Sequence, residues 1–218
     1  SHQYVSERCA ELMGKDLKDT KIITCHLGNG ASISAVDGGK CINTSMGLTP
    51  LGGIMMGTRC GDIDPAVAVY MARQTGMTPD ELDTAFNKKS GMLGVSGISS
   101  DSRDIEDAYF AGNERAILTM DVYVNRIINM IGGYVMQLGH VDAIAFTAGL
   151  GENSTFTREL ILKALTEGLG LSIDYELNGK IRGKEVCISK EDSKVQAWIV
   201  PTNEELVIAR DTYRILGF

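Results

Sequence analysis

No apolar run in the sequence approaches the ~20 residues that a bilayer-spanning helix requires. Nothing at the amino end carries the charged, apolar and small-residue sections of a secretory signal. The chain opens on Ser1, and it reads as a fragment or trimmed product. CxxC pairs are missing too. The five cysteines, Cys9, Cys25, Cys41, Cys60 and Cys187, are odd in number and scattered, which excludes a disulfide framework or a zinc site and suits reduced thiols. There is no basic excess: the formal net charge of -7 removes the face that non-specific nucleic-acid binding needs, while leaving room for a local phosphate pocket. Neither a Walker A run nor the HRD and DFG signatures of protein kinases occur, so any phosphoryl transfer here uses other glycine turns. What is present is globular. At 218 residues, 44% apolar and 22% charged, the chain fits one large domain or a domain and a half with a sizeable core.

The stretch that organises the rest is residues 21–36, KIITCHLGNGASISAV. Ile22, Ile23 and Thr24 form a β-branched run typical of a buried strand. The chain then passes through His26-Leu27-Gly28-Asn29-Gly30 into a second strand-like run with Ile33 and Val36. Strand, Asn-Gly, strand predicts a hairpin. Glycine at Gly28 and Gly30 permits positive φ and close approach of a ligand, so successive N–H groups there can cradle an anion such as phosphate. An ordinary tight hairpin is the competing reading.

The remaining segments follow in order. In residues 1–15, Tyr4, Val5, Cys9, Leu12 and Met13 recur at helical spacing ahead of Gly14. His2 falls just before that helix, where a frayed, solvated residue is the ordinary expectation and a functional histidine the competing one. Residues 37–40 turn the chain into a third strand, 41–45. Residues 46–59 show no periodicity and deliver Gly57-Thr58-Arg59-Cys60-Gly61-Asp62-Ile63-Asp64-Pro65. Arg59 offers either a planar fork for phosphate oxygens or a structural ion pair with Asp62 or Asp64. Asp64-Pro65 opens a helix whose buried face is predicted from Ala66, Val69, Tyr70 and Ala72. Thr78-Pro79-Asp80-Glu81 is a capping box for a second helix, to about Lys88. Residues 90–100 read as a glycine and serine loop, before Asp101-Ser102-Arg103-Asp104. Those four suit either the rim of a pocket or a helix amino terminus.

Ile117, Leu118, Val122, Val124, Ile127, Ile128, Ile131, Val135 and Leu138 describe a long buried helix over residues 113–138, with Gly132-Gly133 predicted to pack closely against another backbone. Residues 142–154, DAIAFTAGLGENS, give a buried strand, a turn at Gly149-Leu150-Gly151 and a helix from Phe156, whose amino terminus would suit an anion. The same residues approach a dinucleotide fingerprint but lack its third glycine. Residues 171–188 read as a polar surface excursion with turns at Asn178-Gly179 and Arg182-Gly183. Residues 195–200 form the last buried strand, with Trp198 in it. Thr202 and Glu205 have capping-box spacing at the start of the final helix, which leaves Glu204 for solvent or for an oxygen-seeking cation such as magnesium. Alternating strands and helices after a three-strand meander predict an α/β layered domain with a partly antiparallel sheet.

HLGNGASISAV, TSMGLTPLGGIMMGTRCGDIDP, FTAGLGENS and PTNEEL, in that order, resemble the carboxy-terminal half of the acetate kinase family, part of the wider sugar kinase, Hsp70 and actin superfamily. GTRCGDIDP is the most specific of these motifs, and the resemblance covers nearly the whole chain. It implies a ribonuclease H-like lobe of the actin-like ATPase fold, with a mixed sheet flanked by helices. Residues 1–218 would be the nucleotide-binding lobe, and a last helix at about 203–216 would pack towards an absent amino-terminal lobe. The implied reaction is ATP-dependent phosphorylation of acetate to acetyl phosphate and its reverse, with ATP/ADP as substrates and Mg2+ or Mn2+ as cofactor. A homodimer through this lobe, a cytoplasmic location, and neither nucleic acid nor membrane as partner are also implied. The resemblance makes Arg59 catalytic. It gives His26, Leu27, Gly28, Asn29 and Gly30 the phosphates, and it sets Asp101, Ser102, Arg103, Gly149, Leu150, Gly151, Glu152 and Asn153 around the nucleoside. Glu204 becomes the metal ligand. The family's magnesium-side asparagine, acetate-contacting arginine, catalytic aspartate and upstream histidine belong to the other lobe, so this chain alone is expected to bind nucleotide weakly and turn over little. Three other classes compete: propionate or butyrate kinase of the same family, a non-catalytic actin-like module with no use for Arg59, and a dinucleotide-dependent oxidoreductase working through Gly149 to Ser154.

Overall fold

The β-branched run at Ile22 lies in β1 (Lys21–Leu27), which is followed by β2 (Ala31–Asp37) and β3 (Lys40–Thr44). The computed structural model describes residues 1–217; the side chain of Glu204 and residue Phe218 fall outside the described residues. The chain divides into two compact units. The first takes Ser1–His26, Ser34–Asn43 and the chain from Tyr134 onward, and the second takes Leu27–Ile33 and Thr44–Gly133.

The first unit is built on a six-stranded mixed sheet in the order β3-β2-β1-β4-β6-β5, where β4 is Ala143–Thr147, β5 is Val186–Cys187 and β6 is Gln196–Ile199. β1 pairs parallel with β4 and β4 with β6, while the two-residue β5 closes the edge antiparallel to β6. This is the mixed α/β sheet that the sequence predicts. β4 is buried at every residue, which is why it reads as an unbroken apolar run. Helix α1 (His2–Leu12) sets Val5, Cys9 and Ala10 into a cluster with Ile22, Ala143, Ala145 and Val200, against which Tyr4, Leu12, Met13 and Trp198 pack. After β4 come α7 (Ala148–Asn153), α8 (Thr155–Leu169), α9 (Tyr175–Lys180) and, last, α10 (Glu204–Leu216).

The second unit holds α2 (Ala66–Thr75), α3 (Pro79–Lys88), α4 (Gly91–Ser96), α5 (Ser102–Phe110) and most of α6 (Glu114–Leu138). Along α6 the buried positions Ala116, Thr119, Met120, Tyr123, Ile127 and Ile131 repeat at three and four residues. Each fully buried isoleucine contributes roughly 1.5–3 kcal/mol over leaving it in water, so the apolar stripe holds this helix more than propensity does. Among the described residues no helix is long and apolar enough to cross a membrane.

Five expectations are corrected. No residue of α2 is buried; Val69 and Tyr70 are 51% and 65% exposed. Its spacing is helical, but among the described residues its apolar side chains find only partial cover, at Ala68, Met71 and Ala72. Gly132 and Gly133 are exposed, and a Cβ at either would meet nothing within 4 Å, so they mark no close packing here. Leu118 is 53% exposed because it lies off the α6 stripe. Residues 90–100 contain a helix, α4, started by a left-handed Gly91 with φ 64°. Residues 171–188 are no surface excursion, for they include α9 and the edge strand β5, with Leu171, Ile173, Asn178 and Ile188 buried. There the Asn-Gly pair signals no turn, because the Asn178 side chain is consumed by a buried arginine, Arg158.

Candidate functional site

In the second unit the site grows from the hairpin tip. Three residues, Gly28, Asn29 and Gly30, separate β1 from β2. The predicted positive φ is not found at Gly30; it occurs at Gly38 (55°) and Gly39 (79°) in the next turn. A three-residue tip needs no left-handed pair, unlike a two-residue Asn-Gly turn. What glycine provides at position 30 is space. A Cβ there would stand 3.4 Å from Nη2 and 3.5 Å from Nη1 of Arg59.

Arg59 is held by a backbone lattice within this unit. The Met56 N–H donates to Arg59 O at 3.1 Å, and the Gly57 N–H donates to Asn29 O at 3.1 Å. From α4 the N–H groups of Met92 and Leu93 donate to Met56 O (2.8 Å) and Gly57 O (3.0 Å), and Ser90 N–H donates to Thr58 O (2.9 Å). These are the first N–H groups of a helix, which need outside acceptors. Glycine is required at both faces of the lattice: a Cβ on Gly57 would collide with Asn29 Oδ1, and one on Gly91 with Met56 O. A Cβ on Gly57 would also lie 3.0 Å from Ser100 O, which puts the residue before Asp101 beside the Arg59 loop.

The guanidinium is half-buried. Nη1 donates to Pro50 O at 2.8 Å and contacts Met56 Sδ at 3.4 Å. Among the described residues it makes no ion pair. The carboxylates proposed as structural partners are engaged elsewhere, Asp62 by Gly53 N–H (2.7 Å) and Asp64 by Ala66 N–H (2.8 Å). A cation aimed at a glycine tip with no carboxylate against it is an anion receptor in form. Asp101 caps α5, accepting from Arg103 N–H at 3.0 Å, and also pairs with the Arg103 guanidinium. That side-chain bond holds the Asp101 carboxyl down at about 2. Ser102 opens the helix between them, so the helix-start reading of these residues is realised.

The first unit carries the other candidates. His26 pairs in register with Thr147 of β4. His2 is no frayed residue. It begins α1, half-buried, with Nδ1 2.6 Å from Thr24 Oγ1 and its ring 6.1 Å from that of His26. Burial first, then His26, then the chain's amino group hold His2 down at about 4. A signal for this pair exists in the sequence, since Thr24 and His26 alternate onto one face of β1.

The predicted turn at Gly149-Leu150-Gly151 is the short helix α7, entered through Ala148 at φ 64°. Glu152 folds back on that entry: its Oε1 accepts from Ala148 N–H at 2.7 Å and from Thr202 N–H at 3.1 Å. Gly149 and Asn153 are exposed, whereas Leu150 and Gly151 are buried. Arg158, fully buried on α8, donates to Gly151 O (2.9 Å) and to Asn178 Oδ1 (2.8 Å). The capping box expected at Thr202 and Glu205 does not form, because Asn203 caps α10 through Leu206 N–H at 3.0 Å. Glu204 stands first in that helix, and its side chain lies outside the described residues. Among the described residues no group of three or more His, Cys, Asp or Glu gathers as a metal site.

A family model described as the Acetokinase family matches residues 1–210. An acetate kinase of Clostridium botulinum (strain Hall) is 61% identical over 215 residues, which is 99% of this chain and 54% of that protein. An acetate kinase of Clostridioides difficile (strain 630) is 56% identical over 216 residues, again 99% and 54%. The crystal structure of Porphyromonas gingivalis acetate kinase matches at TM-score 0.95 and 49% identity, covering 99% of this chain and 54% of that one. A propionate kinase from Francisella tularensis subsp. tularensis SCHU S4 matches at TM-score 0.88 and 38% identity, covering 96% and 52%. The chain spans about half the length of the curated relatives it matches. The family match over residues 1–210 and these relatives show that the chain belongs to the acetokinase family.

Proposed function

We propose that this chain is the carboxy-terminal, nucleotide-binding lobe of an acetate kinase, the enzyme that phosphorylates acetate from ATP and remakes ATP from acetyl phosphate. Acetate is the proposed acceptor because the relatives at 56–61% identity are named acetate kinase; propionate is the second reading, since a propionate kinase matches at 38%. The observation that carries the reading is Arg59, a half-buried guanidinium set against the hairpin tip with carbonyl and thioether contacts and no ion pair among the described residues. Phosphoryl transfer is mainly positioning and neutralisation of charge on the equatorial oxygens. In this scheme the backbone of Leu27, Gly28, Asn29 and Gly30, with His26, orients the β and γ phosphates, and Arg59 meets the charge that develops on the transferring group. Asp101, Ser102 and Arg103 contact the nucleoside together with Gly149, Leu150, Gly151 and Asn153, while Glu152 shapes that turn from within. Glu204 is the proposed ligand of a magnesium ion, which when bound would neutralise phosphate charge. A cytoplasmic location, a homodimer and weak nucleotide binding by the lobe alone belong to the same proposal.

Arg59→Ala tests it in a full-length enzyme carrying this segment. Turnover is expected to fall on the order of a hundredfold to a thousandfold, as for oxyanion-type donors, with a much smaller rise in KM for ATP. Lysine restores part of the loss, since it keeps charge but not the planar fork. A destabilised Arg59→Ala enzyme with turnover intact would end the assignment.

A further inference from the structure

We propose that Glu152 is a positioning residue, not a ligand: its carboxylate ties two chain corners into one geometry, and nucleotide affinity depends on that geometry. The proposal rests on the nucleotide reading above.

One Glu152 oxygen, Oε1, receives Ala148 N–H (2.7 Å), Thr202 N–H (3.1 Å), Thr147 Oγ1 (3.4 Å) and Thr202 Oγ1 (3.5 Å). A carboxylate is an acceptor only, and bonds to its charge are the stronger kind. Glu152 and Thr202 lie 50 residues apart in sequence, yet the two corners leave adjacent parallel strands, because β4 and β6 are paired with Phe146 opposite Ile199. His26 stands at the same end of β1, opposite Thr147. The tie therefore sits beyond the carboxyl ends of three neighbouring parallel strands, where open α/β sheets bind their ligands.

Ala148 shows what the tie opposes. Among the described residues it is the one non-glycine with positive φ. An L side chain resists that conformation, which persists only where the surroundings over-determine it. Glu152, four residues on, supplies the acceptor that fixes the Ala148 N–H. The far end of α7 is secured independently: Arg158 holds Gly151 O, and Gly183 N–H donates to Glu152 O at 3.2 Å. With both ends held, exposed Gly149 is presented in a single orientation, and the Thr202 corner that leads to Asn203 and Glu204 is fixed by the same oxygen.

Four chains decide the matter: the parent, Glu152→Ala, Glu152→Gln, and the double variant Ala148→Gly with Glu152→Ala. The probe is magnesium-ADP displacing a fluorescent ATP analogue, read beside amide exchange at Ala148 and Thr202. Glu152→Ala should weaken ADP on the order of tenfold, the scale for losing a group that orients a ligand-holding element, and both amides should lose protection together. Glutamine keeps the accepting oxygen without the charge, so Glu152→Gln should bind within about twofold of the parent with both amides protected. Glycine takes positive φ without strain, so the double variant should regain part of the affinity. Glu152→Gln binding as poorly as Glu152→Ala while its amides stay protected overturns the proposal, for the charge would then meet ligand directly. Deprotected amides with unchanged ADP affinity overturn it as well, leaving a purely structural bond. Should Glu152→Ala fail to fold, the glutamine chain decides alone. Weak ADP binding with protected amides then overturns the proposal, and parent-like binding with protected amides supports it. A parent that binds no ADP fails the nucleotide reading itself, and is seen as such because no substitution is involved.

Discussion

Among the described residues neither Arg59 nor Glu152 makes an ion pair, and the two are mirror cases. Arg59 meets carbonyl and thioether and is the fork proposed to take phosphate, whereas Glu152 spends one oxygen on four donors inside the protein. Sequence puts both in glycine-rich motifs and cannot separate them, because what distinguishes them is which neighbours fill their valences. His2 makes the same point through pH. Its imidazole is held at about 4 by burial, by His26 and by the amino terminus, against about 6.5 in an unfolded chain. Between those values the unfolded chain binds more protons, so stability rises with pH there and is lost as pH falls from about 6.5 towards 4. Denaturant unfolding of the parent at pH 7 and pH 4.5, compared with His2→Gln, checks this. The variant should lose up to one proton's worth of pH dependence. Equal slopes in the two chains would refute the burial of a neutral His2.

One sequence pattern with two outcomes shows what is legible at the level of elements. Thr78 and Glu81 form the full capping box that their spacing predicts: Glu81 N–H donates to Thr78 Oγ1 at 3.3 Å, and Thr78 N–H to Glu81 Oε2 at 2.8 Å. Thr202 and Glu205 have identical spacing and form none, because Glu152 reaches across from the neighbouring corner to take both Thr202 groups, and Asn203 is the stronger cap. Local signals decide local bonds until a long-range partner competes. The hairpin, the third strand, α3, α6 and β4 were readable for that reason. The helix within 90–100 was hidden because its first N–H groups find their acceptors in the Arg59 loop, and α9 because Asn178 answers a buried arginine twenty positions away. For the candidate site, the motifs were legible and their internal bonding was not. Thr78→Ala should therefore cost about 1 kcal/mol in thermal or denaturant unfolding. Glu205→Ala should cost only a few tenths of a kcal/mol, the worth of a first-turn charge. Equal losses at both sites would contradict the structural difference between them.

At the scale of the molecule, the apolar residues that the chain leaves in water bear on the proposed homodimer. Val67, Val69 and Tyr70 on α2 are 38%, 51% and 65% exposed, and Leu118 and Met136 on α6 are 53% and 80% exposed. These side chains are available to the proposed partner, since exposed apolar surface is what interaction sites use. Gly132 and Gly133, open on the same helix as Leu118 and Met136 with nothing within 4 Å of a Cβ position, would admit a second backbone that ordinary side chains would keep away. Interior helical glycine costs roughly 0.5–1 kcal/mol relative to alanine, and among the described residues nothing crowds the Cβ position of either one to require it. Light scattering at micromolar concentration should give a mass of two chains. Met136→Asp should shift that mass towards one chain, because burying a carboxylate against an apolar partner is costly, while a surface change of this kind should leave thermal stability of the single chain within about 0.5 kcal/mol. A single-chain mass for the parent would refute the dimer through this lobe, and an unchanged two-chain mass for Met136→Asp would move the interface off α6.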